Sequence, residues 1–393
     1  MSTICGDNIL VNFELNEDQR LIQKAAREFS ESELEPMASV YDSGGGRDDF
    51  LANLKRLAEL GFMGMNIGSR YGGAEAGAIA SSLAITEIAR ACASTAVTVS
   101  VTNMVAEVIQ SIANEDQRNK YLPKICSGEY YAAGFCLTES SAGSDPSGMT
   151  TTATRDGRGW VLNGSKAYIT SAEYAGVFVV WAVTDRVAAR GKGISCFLVE
   201  RDTVGITIGP AENKMGQKAS ATNPVYFDNC RIPSHALMGK LNEGYRVALR
   251  ELAGGRIGVG SLALGLGVAA LDYAKRYVKD REQFGQAISN FQGVQWMLAD
   301  AYTEMEASRL LIMQAASVKE GGGDFGAVAS MAKLYASEAA NRACYTALQL
   351  LGGNGYNSEY PVERLARDVR ITTIYEGTSE IQRVVIAKSL GFL

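Results

Sequence analysis

Only one histidine, His235, occurs in the 393 residues. A single imidazole excludes a histidine-built metal cluster. A Ser-His-Asp arrangement would have to use that same residue. It sits in "RIPSHALMG", just after a proline turn, where a structural place is the better reading. The seven cysteines (Cys5, Cys92, Cys126, Cys136, Cys196, Cys230 and Cys344) are scattered and form no CxxC pair. That is the usage of a reducing compartment, with cysteine serving as a small apolar residue. Basic excess is also absent: 38 Lys and Arg stand against 43 Asp and Glu, a net charge of -5. The positive face of a nucleic-acid binder is therefore not expected. No window approaches 18 uninterrupted apolar residues, so no membrane span is expected. The opening "MSTICGDNIL" lacks a basic stretch and an apolar core. No secretory signal is expected there, and the cytoplasm is the expected compartment. If this chain is an enzyme, its base is expected to be a carboxylate and its difficult step to belong to a cofactor.

What is present is a soluble, globular composition, 47% hydrophobic and 21% charged, in a chain long enough for two or three domains. Residues 1–133 read as helices. Asn16 stands three before Gln19, a capping pair, and Leu21, Ile22, Ala25 and Phe29 then share a helical face. "FLANLKRLAELGFMGM" repeats the pattern and ends at Gly61, a suitable C-terminal cap. "AIASSLAITEIARACASTAVTVSVTNMVAEVIQSIA" is long, apolar and rich in small residues, which favours buried helix. Over 134–240 the texture turns to strands. Asp156-Gly157 and Asn163-Gly164 predict hairpin turns, and "VFVVWAV", "ISCFLVE" and "GITIG" predict strands. Four of the seven prolines lie in this region. Helices return over 241–393. Val294, Leu298, Ala301 and Met305 form one stripe, and Ala332, Ala336, Ala339, Ala343, Ala347 and Leu350 form another, ending at Gly352-Gly353. The expected fold class is α+β: a helical domain, a β-barrel-like middle domain and a four-helix-bundle-like C-terminal domain.

Three stretches carry candidate chemistry. "GLGVAA", Gly265 to Ala270, imitates a dinucleotide fingerprint, but it lacks the preceding strand and sits inside a continuous helical pattern. Glycines for close helix packing are the better reading. "FCLTESSAGSDPSG", Phe135 to Gly148, is dense in Ser, Thr and Gly and offers backbone N–H groups and hydroxyls to a polar cofactor edge. "RDVRITTIYEGTSEIQ" places Glu376 between an apolar pair and a Gly-Thr-Ser turn, as for a carboxylate at a pocket's edge. Taken alone, a surface carboxylate is the plainer account of that residue.

"CLTESSAGSDPSG" and "QLLGGNGYNSEYPVERLARD" resemble the two signatures of the acyl-CoA dehydrogenase family. "NGSKAYIT", "DREQFG" and "IYEGTSEIQ" also look like family motifs, in order and at family spacing, and the likeness covers nearly the whole chain. The resemblance implies FAD, an acyl-CoA thioester substrate, and removal of two hydrogens from its α and β carbons. Glu376 matches the base that takes the α-proton while the β-hydrogen leaves as hydride to flavin N5. The thioester oxygen would be held by the base's own N–H and a ribityl hydroxyl. Ile374 and Tyr375 would line the dry side, and Gly377 would let the chain pass close by. Phe135, Leu137, Thr138, Tyr168, Ile169 and Thr170 would lie against the flavin, with Ser144 meeting both FAD and the thioester arm. Arg281, Phe284, Gln292, Gln349 and Gly353 match residues holding the pyrophosphate and adenosine, largely from a neighbouring subunit. Thr378 and Glu380 fall in the FAD-contacting turn after the base, and Arg256 matches a CoA-contacting arginine. Implied partners are an electron-transfer flavoprotein and further copies of the chain, commonly four, in fatty acid or amino acid catabolism.

The chain departs from the family pattern in places. Tyr168 stands where Trp is usual, Ser171 where Asn is common, and Ala253 where Asp is frequent. The acyl pocket is expected between "STAVTVSVTNMV" and the helix near Arg256, with Gly254 and Gly255 making room. Ala96 to Val99 carries no cation, which disfavours a dicarboxylyl substrate. The texture is closest to short-chain and branched-short-chain members. Two other readings stay open: an oxidase or N-hydroxylase acting on a nitro compound or amine, and a non-catalytic binding protein on the same scaffold.

Overall fold

Asn16 accepts from the Gln19 N–H at 2.8 Å, and the Gln19 side chain accepts from the Asn16 N–H at 3.0 Å. This reciprocal cap opens α1 (Glu17–Phe29). A computed structural model describes residues 14–392, so Cys5 and the N-terminal stretch read above lie outside the described residues. The buried side of α1 runs through Ile22, Ala26 and Phe29, whereas Leu21 is 57% exposed and Ala25 faces out. The expected stripe was therefore rotated by about one residue. After α2 (Ala38–Asp42) and α3 (Arg47–Glu59), Gly61 takes a left-handed turn as expected. The long apolar stretch forms two helices, α4 (Gly77–Ala91) and α5 (Ala93–Ile112), parted at an extended Cys92. That one residue re-aims the chain so that both helices reach the C-terminal bundle. The helix α6 (Glu115–Cys126) has its own Asn114–Gln117 capping box.

The strands are β1 (Ala132–Cys136), β2 (Thr152–Arg155), β3 (Gly159–Thr170), β4 (Ala175–Val183), β5 (Ile194–Glu200), β6 (Ile206–Ile208), β7 (Thr222–Pro233) and β8 (Leu237–Met238). They form one sheet in the order β6-β7-β3-β2-β4-β5-β8, with β1 parallel to β4. The expected β domain is present, and the sheet path is open, since β6 and β8 do not pair with each other. Asp156-Gly157 makes the expected hairpin turn between β2 and β3. Asn163-Gly164 does not: it lies inside β3, where the register with β7 shifts between Leu162 and Gly164. A β-bulge uses the same glycine freedom as a turn, so the dipeptide alone does not separate them. One sheet face packs Ala133, Val177, Val179 and Trp181 against α5 and α6. The opposite face holds Trp160, Leu162, Phe178 and Phe197 in a core of its own.

The C-terminal region consists of α7 (Gly244–Asp280), a small hairpin of β9 (Glu282–Gln283) and β10 (Gln286–Ala287), then α8 (Gln292–Glu320), α9 (Gly326–Leu351), α10 (Pro361–Arg370) and α11 (Ser379–Ser389). "GLGVAA" is inside α7, as expected, and its glycines serve packing. A Cβ on Gly265 would lie 2.3 Å from the Thr86 carbonyl oxygen, and one on Gly267 would lie 2.5 Å from Met305 Sδ. The five alanines of the α9 stripe have no exposed surface. By length and hydropathy α7 could cross a membrane, yet 72% of its most apolar window is buried within the protein. It is the axis on which α4, α5, α8 and α9 pack.

Candidate active site

Glu376 lies between a short 3-10 turn (Ile371–Thr373) and α11. Its φ is +55° and that of Gly377 is +89°, so two successive residues are left-handed. For glutamate this conformation costs on the order of 1–3 kcal/mol and persists only where the surroundings impose it. Three groups impose it. Gln382, fully buried on α11, donates Nε2 to the carbonyls of Glu376 (3.1 Å) and Gly377 (2.8 Å). Lys333, fully buried on α9, donates Nζ to the Gly377 carbonyl at 2.8 Å. Thr378 caps α11, its Oγ1 accepting from the Ile381 N–H at 3.3 Å. From the β domain, Gln217 donates its backbone N–H to Asp368 and its Nε2 to the Tyr375 hydroxyl (3.3 Å), which ties the preceding segment down.

The carboxylate itself is withdrawn from water. Glu376 Oε2 is buried without a hydrogen-bond partner. Burial pushes the Glu376 carboxyl up to about 7, against the pull of Arg256 and Lys333. Burial in turn lowers Lys333 to about 8, opposed by Glu376. Arg256 is 6% exposed, donates to Ser330 Oγ at 3.0 Å and leaves its Nε unpartnered. The resemblance makes this arginine a CoA contact, and it lies buried beside Glu376. The dry side of the base also differs from expectation, because Ile374 is 47% exposed. Met104 and Gly255 take that place. A Cβ on Gly255 would meet Met104 Sδ at 2.7 Å and Glu376 Oε2 at 2.8 Å.

Gly255 and Met104 also line a cavity between α5 and α7, the location expected for an acyl chain. Part of its lining is polar. Glu107 accepts from Asn66 Nδ2 and from Lys319 Nζ, each at 2.6 Å. Lys319, carried in on α8, was missed in the sequence because the search for a cation stayed on the α5 segment. Glu107 neutralises it, so the pair presents no net positive charge to a second carboxylate.

The residues expected at a flavin gather at the end of β1 and on β3, but on two faces of the sheet. Phe135 stacks on Trp181 with centroids 4.4 Å apart, and Leu137 is buried on the same face. Ile169 is 1% exposed and belongs to the opposite core, so only its backbone is free to meet a ligand. Tyr168, left-handed at φ +57°, is 66% exposed, and Ser144 is exposed in the loop. Thr138 accepts the Ala167 N–H at 2.9 Å, and Thr170 ends β3. The loop's base is fixed by the buried Lys166–Glu139 pair at 2.8 Å, whose cation and hydrogen bonds outweigh burial and hold Glu139 down at about 2. Glu380 is exposed in the first turn of α11.

Arg281, Phe284, Gln292, Gln349 and Gly353 form a second, separate group. All are exposed, at the end of α7, in the hairpin, at the start of α8 and at the end of α9. Phe284 is 93% exposed. Along α7, Arg281 lies roughly 38 Å from Arg256, 25 residues at about 1.5 Å each. Lys333, Gln382 and Lys319 are the site residues that sequence reasoning missed; Gln382 ends the motif "IYEGTSEIQ" but was given no role there, and Lys333 and Lys319 lie in no recognisable motif.

Three acyl-CoA dehydrogenase domain families match in succession: the N-terminal domain over residues 16–129, the middle domain over 134–230 and the C-terminal domain over 242–391. The short-chain specific acyl-CoA dehydrogenase of Clostridium acetobutylicum is 38% identical over 379 residues, covering 96% of this chain and 99% of the relative. The solved butyryl-CoA dehydrogenase of Megasphaera elsdenii superposes with a TM-score of 0.93 at 38% identity, covering 96% and 99% of the two chains. A chain in the structure of the electron transferring flavoprotein of Acidaminococcus fermentans gives 0.94 at 39% identity, with the same coverage. A strained, desolvated carboxylate beside a narrow cavity, in an α–sheet–α scaffold matched end to end, places this chain in the acyl-CoA dehydrogenase family of oxidoreductases.

Proposed function

We propose that this protein carries out FAD-dependent α,β-dehydrogenation of a short-chain acyl-CoA, with Glu376 as the base for the α-proton. The observation that carries the reading is the half-buried Glu376, whose carboxylate Oε2 is shut off from water, unpartnered and next to the Gly255–Met104 cavity. A general base works best with a pKa near the operating pH, and burial brings this one there. A side chain at 255 would fill the approach to that oxygen, so glycine keeps the reacting carbons within reach. Arg256 and Lys333 keep the ionised form accessible despite burial, and Gln382 holds the backbone that aims it.

The residues present fit FAD. Tyr168 offers an exposed aromatic ring, the buried Ser171 Oγ lacks a partner, and the 138–148 loop presents hydroxyls. Phe135, Leu137, Thr138, Ser144, Tyr168, Ile169 and Thr170 would hold the flavin end, with Thr378 and Glu380 at the turn. When bound, FAD supplies the two-electron acceptor for the β-hydrogen. Arg281, Phe284, Gln292, Gln349 and Gly353 would hold the other end of a cofactor bound to a second copy, which supports a homo-oligomer. The short-chain reading rests on the relatives' specificity and on the small cavity. Electron transfer to an electron-transfer flavoprotein is supported by the likeness to the Acidaminococcus chain.

The test is anaerobic mixing of the flavin-loaded protein with butyryl-CoA while the visible flavin absorbance is followed. Rapid bleaching is expected, slowed at least a thousandfold in Glu376→Gln with ligand binding retained. Equal rates in the two proteins would assign the base elsewhere.

A further inference from the structure

We propose that the connection from Gln217 to Ala221 is a bridge that sets the end of β3 against the Glu376 segment, with Gln217 as its positioning residue. This rests on the dehydrogenase reading above. Glu376 Oε2 has no hydrogen-bond partner, so its direction depends on packing and on the anchors either side of residue 376. Downstream, Gln382 and Lys333 hold the Glu376 and Gly377 carbonyls. Upstream, the anchor comes from the β domain. Gln217 Nε2 donates to the Tyr375 hydroxyl at 3.3 Å and to the Asp368 carbonyl at 3.1 Å, and its N–H donates to the Asp368 carboxylate. Gln217 is 4% exposed and left-handed at φ +50°, a conformation that persists only where the surroundings impose it. Its neighbour Gly216 lies against the α10 backbone, where a Cβ would come 2.7 Å from the Arg367 carbonyl oxygen.

A few residues on, the same connection grips the sheet and the cavity wall. The Ser220 N–H donates back to the Gln217 carbonyl at 3.2 Å, and the Ala221 carbonyl accepts the Ser171 N–H at 2.7 Å. Thr222 and Asn223 then pair with Thr170 and Ile169 in the β3–β7 ladder. Thr98 on α5, the helix that also lines the cavity, donates to Ser220 Oγ at 3.1 Å. Five residues thus join the strand end proposed to meet the flavin, a helix of the cavity and the segment that carries the base. A proton and a hydride leave adjacent carbons for two different acceptors, so those acceptors must keep a fixed separation. A misplacement of about 1 Å can slow such a step about a hundredfold.

The experiment uses the flavin-loaded protein and Gln217→Leu, which removes both Nε2 bonds and keeps the backbone N–H. Bleaching at saturating butyryl-CoA gives the limiting reduction rate. A second ligand, 3-thiabutyryl-CoA, has sulfur in place of the β-carbon. Glu376 can take its α-proton, the C–H electron pair staying on the ligand as the enolate, but no β-hydrogen can leave. New long-wavelength absorbance therefore reports an enolate aligned over the flavin without any reduction. Gln217→Leu is expected to lower the limiting rate and this absorbance about tenfold each, with the Kd of the unreactive thioether S-butyl-CoA changed less than about twofold. Tyr375→Phe removes the acceptor and is expected to slow reduction similarly, and the double variant to lose no more than Gln217→Leu alone. An unchanged rate and absorbance in a Gln217→Leu protein that keeps its flavin and melting temperature would overturn the proposal. Losses confined to ligand affinity, or losses that multiply in the double variant, would do the same. If Gln217→Leu does not fold, an unchanged limiting rate in Tyr375→Phe overturns it. A wild type that gives neither bleaching nor the new absorbance instead sinks the dehydrogenase reading, and this proposal with it.

Discussion

Glu376 is a residue whose backbone and side chain are both held in unfavourable states. Its left-handed φ and its desolvated carboxylate each cost stability, and the groups opposing them come from α9, α11 and α7. The folded carboxyl lies above its usual value of 4.5, so ionising it weakens the fold progressively as pH rises from about 4.5 to about 7. On the proposed reading catalysis has the opposite sign: Glu376 must be ionised to act as base, so flavin reduction should fall as pH drops below about 7. Lys333 pulls that titration downward. Lys333→Met should move the pH–rate profile upward by about one unit, a tenfold loss at low pH worth ~1.4 kcal/mol, and Lys333→Arg should restore much of it. Stopped-flow reduction across pH 6–9 checks this; a profile that does not move would leave Lys333 only its bond to Gly377. Glu376 was legible through its motif, but Lys333 was not. It stands 43 positions earlier in an alanine-rich helix, and only folding brings its ammonium to the base.

At the scale of elements, α7 carries both the architecture and the site. Its first third places Gly254, Gly255 and Arg256, and its middle supplies the glycines that let α4 and α9 approach. Gly265→Leu would drive a side chain into the Thr86 carbonyl, so overpacking should cost about 1–3 kcal/mol. Denaturant unfolding measures this, and a stability change within 0.5 kcal/mol would refute the packing role. The helical periods and the hairpin at Asp156-Gly157 were legible because local chemistry dictates them. Asn163-Gly164 was not, since a bulge and a turn share one local conformation and differ only in pairing partners. The break at Cys92 had no local signal at all; it follows from where α4 and α5 must lie.

For the whole molecule, the two groups of expected cofactor residues lie on different elements, one on the sheet and one at the ends of α7, α8 and α9. Phe284, Arg281 and Gln349 are exposed, although Phe284 sets its ring edge-on to Phe291, and in the proposed oligomer a second copy would bring them to the first copy's flavin. Arg281→Ala should therefore lower retained FAD several-fold in a desalted preparation. FAD retention should also fall on dilution together with the oligomer's sedimentation coefficient. A variant that keeps full flavin content, or a flavin-loaded monomer, would refute the shared site.

The sequence by itself determined the family and the α–sheet–α order and pointed to Glu376 as the candidate base, because these reside in contiguous motifs and local periodicity. The tertiary structure alone decided what surrounds the base. Burial that raises its pKa, the Arg256 and Lys333 charges that oppose the rise, and the Glu107–Lys319 pair at the neighbouring cavity all arise from residues far apart in the chain. Electrostatic and steric terms depend on distance in space, and that distance exists only once the helices have packed.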